Sequence, residues 1–277
     1  MWTLSRAIGG LLDLLLLPFR ELPPAVGLSV VALLATVPIL LVFKVTSDQP
    51  RLAAAKRRIQ AAILEIRLLN EDPRFVLAAQ RDALRHSLAY LRLTLLPLLW
   101  LALPLLVLMT HLQAYYGYRG LAVGETAIVT ASFGDQGGGL TPVLEGGAGV
   151  VVETPLLWLP SSRGGRGGEA NWRIAATATG EHLLRLRLGD AVWTKSVLVS
   201  GSPGPRSATR PSASLVPQLL HPSEPPLPPG ASVTEIEVGY STGAVSLLGW
   251  ETDWVIAFLI LTLLAAFALR RALRVTF

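Results

Sequence analysis

The chain has 277 residues, of which 51% are hydrophobic and 16% charged, with a formal net charge of +5. That balance is too apolar and too poor in charge for an ordinary soluble globular protein, and it reads as an integral membrane protein. The lack of cysteine excludes disulfides, thiolate metal sites and a cysteine nucleophile. The arginines sit beside apolar segments without a basic stripe of interleaved aromatics, which argues against sequence-specific nucleic-acid binding.

Residues 1–24 are amphipathic and leucine-rich, with Trp2, Arg6, Asp13, Phe19 and Arg20 interrupting the leucines. A cleaved signal peptide is the plainer reading, but Asp13 breaks the apolar run and Glu21-Leu22-Pro23-Pro24 offers no small-x-small cleavage site. The stretch is therefore expected to lie on the outer face as an interfacial helix. Residues 25–45 are long enough for a first span, with Pro38 as an expected kink.

Residues 46–92 read as a charged helical hairpin. In its first arm Leu52, Ala55, Ile59, Ala62, Ile66 and Leu69 recur at steps of three and four, the spacing of a coiled-coil seam. Asn70, Glu71, Asp72 and Pro73 supply a stop and a restart, and Leu77, Leu84, Leu88 and Leu91 are expected to form the seam of a second arm folded back on the first. A second span is expected over 93–112, containing Pro97 and Pro104. The third is expected over 250–269, with a basic tail over 270–277. The hairpin carries Arg51, Lys56, Arg57, Arg58, Arg67, Arg74, Arg81 and Arg85, and the tail carries Arg270, Arg271 and Arg274. Three spans put both on one side, so positive charge predicts that both are cytoplasmic and that the N-terminus is outside.

Between the second and third spans the pattern changes. Residues 113–200 contain short alternating runs at Val123 to Phe133, Val150 to Glu153, Trp172 to Thr179, Leu183 to Leu188 and Trp193 to Val199, separated by glycine-rich turns such as the hairpin signal Gly189-Asp190, which predict an extracytoplasmic all-β domain of immunoglobulin-like sandwich kind. Residues 201–230 are rich in proline and serine and read as a linker, and 231–249 as a final strand returning to the membrane. The predicted fold class is thus membrane α-helical, with three transmembrane helices, a cytoplasmic coiled-coil hairpin and that β domain.

No enzymatic constellation emerges. His86, His111, His182 and His221 are scattered, and the glycine-rich 161–168 stretch lacks the Lys-Ser/Thr pair of a phosphate loop and reads as a flexible loop. Glu251 and Asp253 fall where the third span meets water and read as interfacial helix capping. No cofactor or metal is expected. The spans say more: Lys44, Arg92 and Arg270 lie at their cytoplasmic ends, with Thr36, Thr94 and Thr262 further in. Taken singly these are snorkelling anchors and hydroxyls bonded to their own helices; taken together they could line a polar, cytoplasm-facing indentation that lowers the desolvation cost of a substrate segment.

The order of parts resembles the Oxa/YidC/Alb insertase superfamily, particularly its compact three-span members related to archaeal YidC-like proteins and to the insertase subunit of the ER membrane complex. The resemblance covers roughly Leu11 to Leu112 and Trp250 to Phe277, and its most specific local match is Phe43-Lys44-Val45-Thr46-Ser47-Asp48-Gln49 feeding the basic hairpin. It implies a membrane-protein insertase or chaperone in a bacterial inner membrane. A groove lined by Thr36, Lys44, Arg92, Thr94 and Thr262 would receive nascent membrane proteins. The hairpin, through Arg57, Arg58 and Arg67, would contact substrate, ribosome or other translocation components. Family members place a basic residue within the first core span; here Lys44 lies at that span's end, with Arg92 as a substitute. The outer domain lies outside the resemblance and would meet a protein partner. The alternative is a membrane-anchored structural or signalling protein whose outer domain does the binding. A transporter subunit is disfavoured because no span carries a mid-membrane charge.

Overall fold

The computed structural model describes residues 2–20, 22–68, 73–134, 140–160, 167–199, 205–247, 249–273 and 275. The hairpin turn Asn70-Glu71-Asp72, most of the 161–168 loop and Arg274 lie outside the described residues. Among the described residues, three helices are each long and apolar enough to cross a membrane, at Pro24–Thr46, Pro97–Tyr116 and Trp254–Leu273. The chain divides into two compact units: residues 28–106 with 258–277, and residues 1–27 with 107–257.

The first of these holds most of the apolar helices and the hairpin. Helix α2 (Pro24–Thr46) buries Leu28, Ala32, Thr36 and Leu40, which recur every four residues on one face, with Val31 three residues after Leu28. Asp48 then caps α3 (Gln49–Leu68): its Oδ1 accepts the Arg51 backbone N–H at 3.1 Å and its Oδ2 pairs with Arg51 Nε at 2.9 Å. The Ser47-Asp48-Gln49 junction is therefore a helix start. In α3, Leu52, Ala55 and Ala62 are buried, as the seam spacing predicts.

The second arm differs from expectation. It is the beginning of α4 (Pro73–Tyr116), one unbroken 44-residue helix that runs on through Pro97 and Pro104 to Tyr116, four residues past the expected span end. Leu77, Leu84, Leu88 and Leu91 are exposed, and the half-buried side of this arm is Ala83, His86, Ser87 and Tyr90. In a continuous helix each residue's direction is fixed by about 100° steps from its neighbours, so this arm has no separate freedom to turn its leucines toward α3.

The other unit begins with α1 (Trp2–Leu16), followed by a 3-10 turn at Leu17–Phe19. Leu12 and Leu16 are buried whereas Leu11, Leu14 and Leu17 are exposed. Asp13, the residue that breaks the apolar run, accepts a hydrogen bond from the Tyr115 hydroxyl at 2.5 Å and pairs with Arg20 at 3.1 Å. Close by, His111 Nδ1 donates to Val107 O at 2.8 Å, and its Nε2 lies 3.3 Å from the Ser5 hydroxyl.

The rest of this unit is antiparallel sheet. One sheet has the order β3 (Val150–Val152), β5 (Gly168–Ala176), β1 (Thr126–Phe133), β9 (Val233–Val238), β8 (Thr209–Arg210), with β4 (Leu157–Pro160) also on β5. A second has the order β2 (Val143–Glu145), β6 (Gly180–Leu188), β7 (Ala191–Val199). Burial alternates along β5, so Ala170, Trp172 and Ile174 enter the core with Val129 and Ala131 of β1 and Leu184, Leu186, Trp193 and Val197 of the second sheet. The β6–β7 turn is tight: Leu188 pairs with Ala191, and Gly189 takes φ +59°, a left-handed conformation that a side chain disfavours. A hairpin of β10 (Ala244–Leu247) and β11 (Trp250–Asp253) leads into α6 (Trp254–Leu273). The third apolar helix thus starts at Trp254, and residues 250–253, expected within it, are strand. Asp253 caps α6 by accepting the Val255 N–H at 2.7 Å.

The stretch read as a linker over 201–230 is packed from Pro205 onward, and it holds the unit's main polar anchor. Past Pro205 it contributes β8, the short α5 (Leu215–Leu220) and buried Ser207, Thr209, Glu224 and Leu227. Prolines donate no hydrogen bond, so side chains bind the stretch instead. Lys195 of β7, 1% exposed, donates to Glu224 Oε2 at 2.7 Å and to Ser207 O at 2.6 Å. Glu224 Oε2 also accepts the Ser207 hydroxyl at 2.7 Å, and its Oε1 the Ser196 N–H at 3.0 Å. Burial pulls the Lys195 ammonium below the usual lysine range, and Glu224 opposes that shift. Tyr240, just after β9, joins the two sheets by accepting the Leu198 N–H at 2.9 Å, and burial pushes its phenol up to about 12.

Glu224→Ala should destabilise this unit by about 3–5 kcal/mol, because it strands a buried ammonium. Lys195→Met combined with Glu224→Leu should restore most of that loss, as read by tryptophan fluorescence during denaturant unfolding of the full chain in micelles. Tyr240 sets an alkaline limit. Its folded value of about 12 lies above the ordinary 10.0, so the folded state keeps a proton that the unfolded state loses. Its contribution is complete below about pH 10 and falls away by about 2–3 kcal/mol as pH rises toward 12. Tyr240→Phe should flatten that decline at the cost of about 1 kcal/mol at neutral pH.

Candidate functional site

In the unit of apolar helices, the cation at the end of α2 meets the end of α6. Lys44 is exposed, and its Nζ donates to the Leu273 carbonyl at 2.8 Å, while the Val275 N–H takes the Arg270 carbonyl at 3.0 Å. The last carbonyls of a helix have no partner within it and carry partial negative charge, so an ammonium there is favourable. Arg270, in the last turn of α6, stacks over the Phe267 ring at 5.1 Å.

The threonines point back into their own helices. Thr36 Oγ1 donates to Ala32 O at 2.6 Å, Thr94 Oγ1 to Tyr90 O at 2.9 Å and Thr262 Oγ1 to Phe258 O at 2.7 Å. A hydroxyl bound in this way still has lone pairs that can accept from an incoming N–H. Thr94 and Thr262 are half-buried, but Thr36 is fully buried. Arg92 is exposed, as are Arg57 and Arg58 on α3; Arg67 belongs to α3, but its side chain lies outside the described residues. Of the proposed lining, then, Lys44, Arg92, Thr94 and Thr262 have surface to offer.

Sequence reasoning missed the Ser207, Lys195 and Glu224 cluster. A serine beside a lysine and a carboxylate has the components of an activated nucleophile. Here none of the three is more than 8% exposed, and Ser207 gives its hydroxyl proton to Glu224. Lys195 donates to carbonyl and carboxylate oxygens, so it is not a base waiting for a proton, and the cluster acts as a structural clamp. A lysine alternating with Trp193 and Val197 along β7 was the available signal, since that register points all three inward. Among the described residues no group of three histidine, aspartate or glutamate side chains could hold a metal ion.

No family model matches the chain, and neither does any curated protein. Among solved structures it is similar to the solution structure of Amebosin, at 20% identity over 29% of this chain and 86% of that chain, with a TM-score of 0.24. A likeness of that size carries no argument about fold or function.

Proposed function

We propose that the chain is a membrane-protein insertion factor of the Oxa/YidC/Alb type, acting without a covalent step. The observation that carries the reading is the shared end of α2 and α6, where the exposed Lys44 ammonium holds the Leu273 carbonyl next to the exposed basic arm α3. In this reading the three apolar helices span a bacterial inner membrane and the hairpin and C-terminus are cytoplasmic, in line with their basic residues. The exposed leucines of α1 rest in the outer interface, and the two sheets form an immunoglobulin-like extracytoplasmic sandwich. The cation and the half-buried hydroxyls of Thr94 and Thr262 offer polar partners to a client segment while it exchanges water for lipid. Exposed Leu95, Leu98 and Leu99 of α4 and Leu259, Ile260 and Leu263 of α6 offer it an apolar wall.

A second reading rests on the outer surface of the larger sheet. The strand register places exposed Ile128, Val151, Leu157 and Leu159 on its solvent side, which suits a protein partner. In that case the spans serve as anchors.

Photocrosslinking probes at Thr94 and Thr262 should label a nascent single-span client several-fold more strongly than probes at the exposed Leu33 and Leu264; equal labelling would sink the insertion reading. Reversing charge at Arg57 and Arg58 to glutamate should weaken capture of ribosome-bound nascent chains roughly tenfold, with the wild-type capture itself falling as salt rises. If Leu157→Asp with Leu159→Asp abolishes the cellular phenotype while insertion persists, the second reading holds instead.

A further inference from the structure

Three arginines from separate parts of the β-containing unit converge on one cavity of about 460 Å3. Arg20 follows the 3-10 turn, Arg119 lies just past α4, and Arg206 precedes β8. Among the described residues, no carboxylate lines the cavity. Asp13 and Glu125 stand outside it and steady two of the cations: Arg20 Nη2 donates to Asp13 at 3.1 Å and Arg119 Nη2 to Glu125 at 2.6 Å. Arg206 is 6% exposed, its Nη1 donates to Tyr115 O at 3.0 Å and its backbone N–H to Ala114 O at 2.7 Å.

Capping the end of α4 accounts for those two contacts of Arg206, and a surface ion pair accounts for Arg119. Neither accounts for the space. Nor does either account for Arg20 Nε, a buried donor to which no described residue offers an acceptor. Such a donor costs stability unless something accepts from it, and guanidinium groups are the side chains best shaped to grip phosphate. Burial draws the Arg206 guanidinium below its ordinary range, the direction that an added anion would reverse.

The remaining walls are apolar or amphipathic. Leu22, Pro24 and Val245 line the same cavity with Tyr116 and Tyr118. A small neighbouring cleft shares Arg20, Leu22 and Tyr116 with it and is completed by Leu16, Phe19 and Gly27. Gly27 lets the Tyr116 hydroxyl pack against its backbone there, since a Cβ would stand 2.7 Å from that oxygen. Both spaces lie where one apolar helix, Pro24–Thr46, begins and another, Pro97–Tyr116, ends. Cation, aromatic and apolar groups in that order match a phosphate joined to a hydrocarbon chain.

We propose that this cavity binds the phosphate of a lipid headgroup, with Arg20, Arg119 and Arg206 as its ligands. The site does not depend on the insertion reading, only on the apolar helices lying in lipid.

The test is native mass spectrometry of the full chain released from phosphatidylcholine nanodiscs doped with phosphatidylglycerol. Wild-type protein should retain phosphatidylglycerol. Arg119→Gln, an exposed position that leaves the core untouched, should lower retention, and Arg20→Gln with Arg119→Gln should lower it roughly tenfold or more, the scale of lost charge-assisted bonds. Arg185→Gln, an exposed position on β6 away from the cavity, should leave it unchanged. Retention that is equal in wild type and both cavity variants overturns the site. Displacement of the lipid by glycerol 3-phosphate or inorganic phosphate at millimolar concentration upholds the phosphate site and overturns its assignment to lipid.

Discussion

A polar group set among apolar ones must find its partner within the chain, and in this molecule the source of that partner decides what each polar residue can do. Thr36, Thr94 and Thr262 find theirs four residues back in their own helices, so they cost little in an apolar setting and order nothing beyond it. Lys44 and Asp13 find theirs across the sequence, at Leu273 and Tyr115, and so join elements. Lys195 lies deepest, and Glu224 with Ser207 must come to it, which draws a proline-rich stretch into the core.

This principle explains how far the sequence could be read. Apolar length and period 2 alternation are local signals, and they located the three apolar helices and strands β1, β3, β5, β6, β7 and β9. Gly189-Asp190 marked a real hairpin because a tight turn is decided by a few neighbouring residues. The strands that escaped notice, β2, β4, β8, β10 and β11, are two to four residues long, too short for alternation to register; β3 is as short, but its Val150-Val151-Val152 run is itself a strand signal. The linker reading failed for a different reason: composition describes a stretch in isolation, and residues 205–227 are held by partners on β7 and β9. In the second hairpin arm the leucine spacing is real, but periodicity identifies a face without saying what it faces. The groove residues were legible as a set of polar positions, yet burial of Thr36 and exposure of Lys44 and Arg92 depend on packing that no spacing encodes.

The cations at the two ends of the apolar helices are held differently. Near the starts of α2 and α6 and the end of α4, Arg20 and Arg119 are matched by Asp13 and Glu125, and Arg206 is engaged with the last carbonyls of α4. The backbone N–H of Ala122 and Arg119 together hold the Glu125 carboxyl below the usual range, so that pair stays ionised at neutral pH. At the hairpin end, Arg57, Arg58, Arg81, Arg85 and Arg92 are exposed on α3 and α4. Topology responds to positive charge that must cross or stay behind, and a neutralised arginine is the easier one to carry across.

That asymmetry reconciles the proposed orientation with arginines on both sides. It also separates two kinds of work. Exposed, solvated cations interact at long range and weakly, which suits transient capture of a passing chain. Partly desolvated guanidinium groups with fixed neighbours act at contact distance and select by shape, which suits a resident ligand. In the proposed reading the same residue type serves exchange at one end of the helices and retention at the other, and the difference comes from the carboxylates and carbonyls that the fold places behind each arginine.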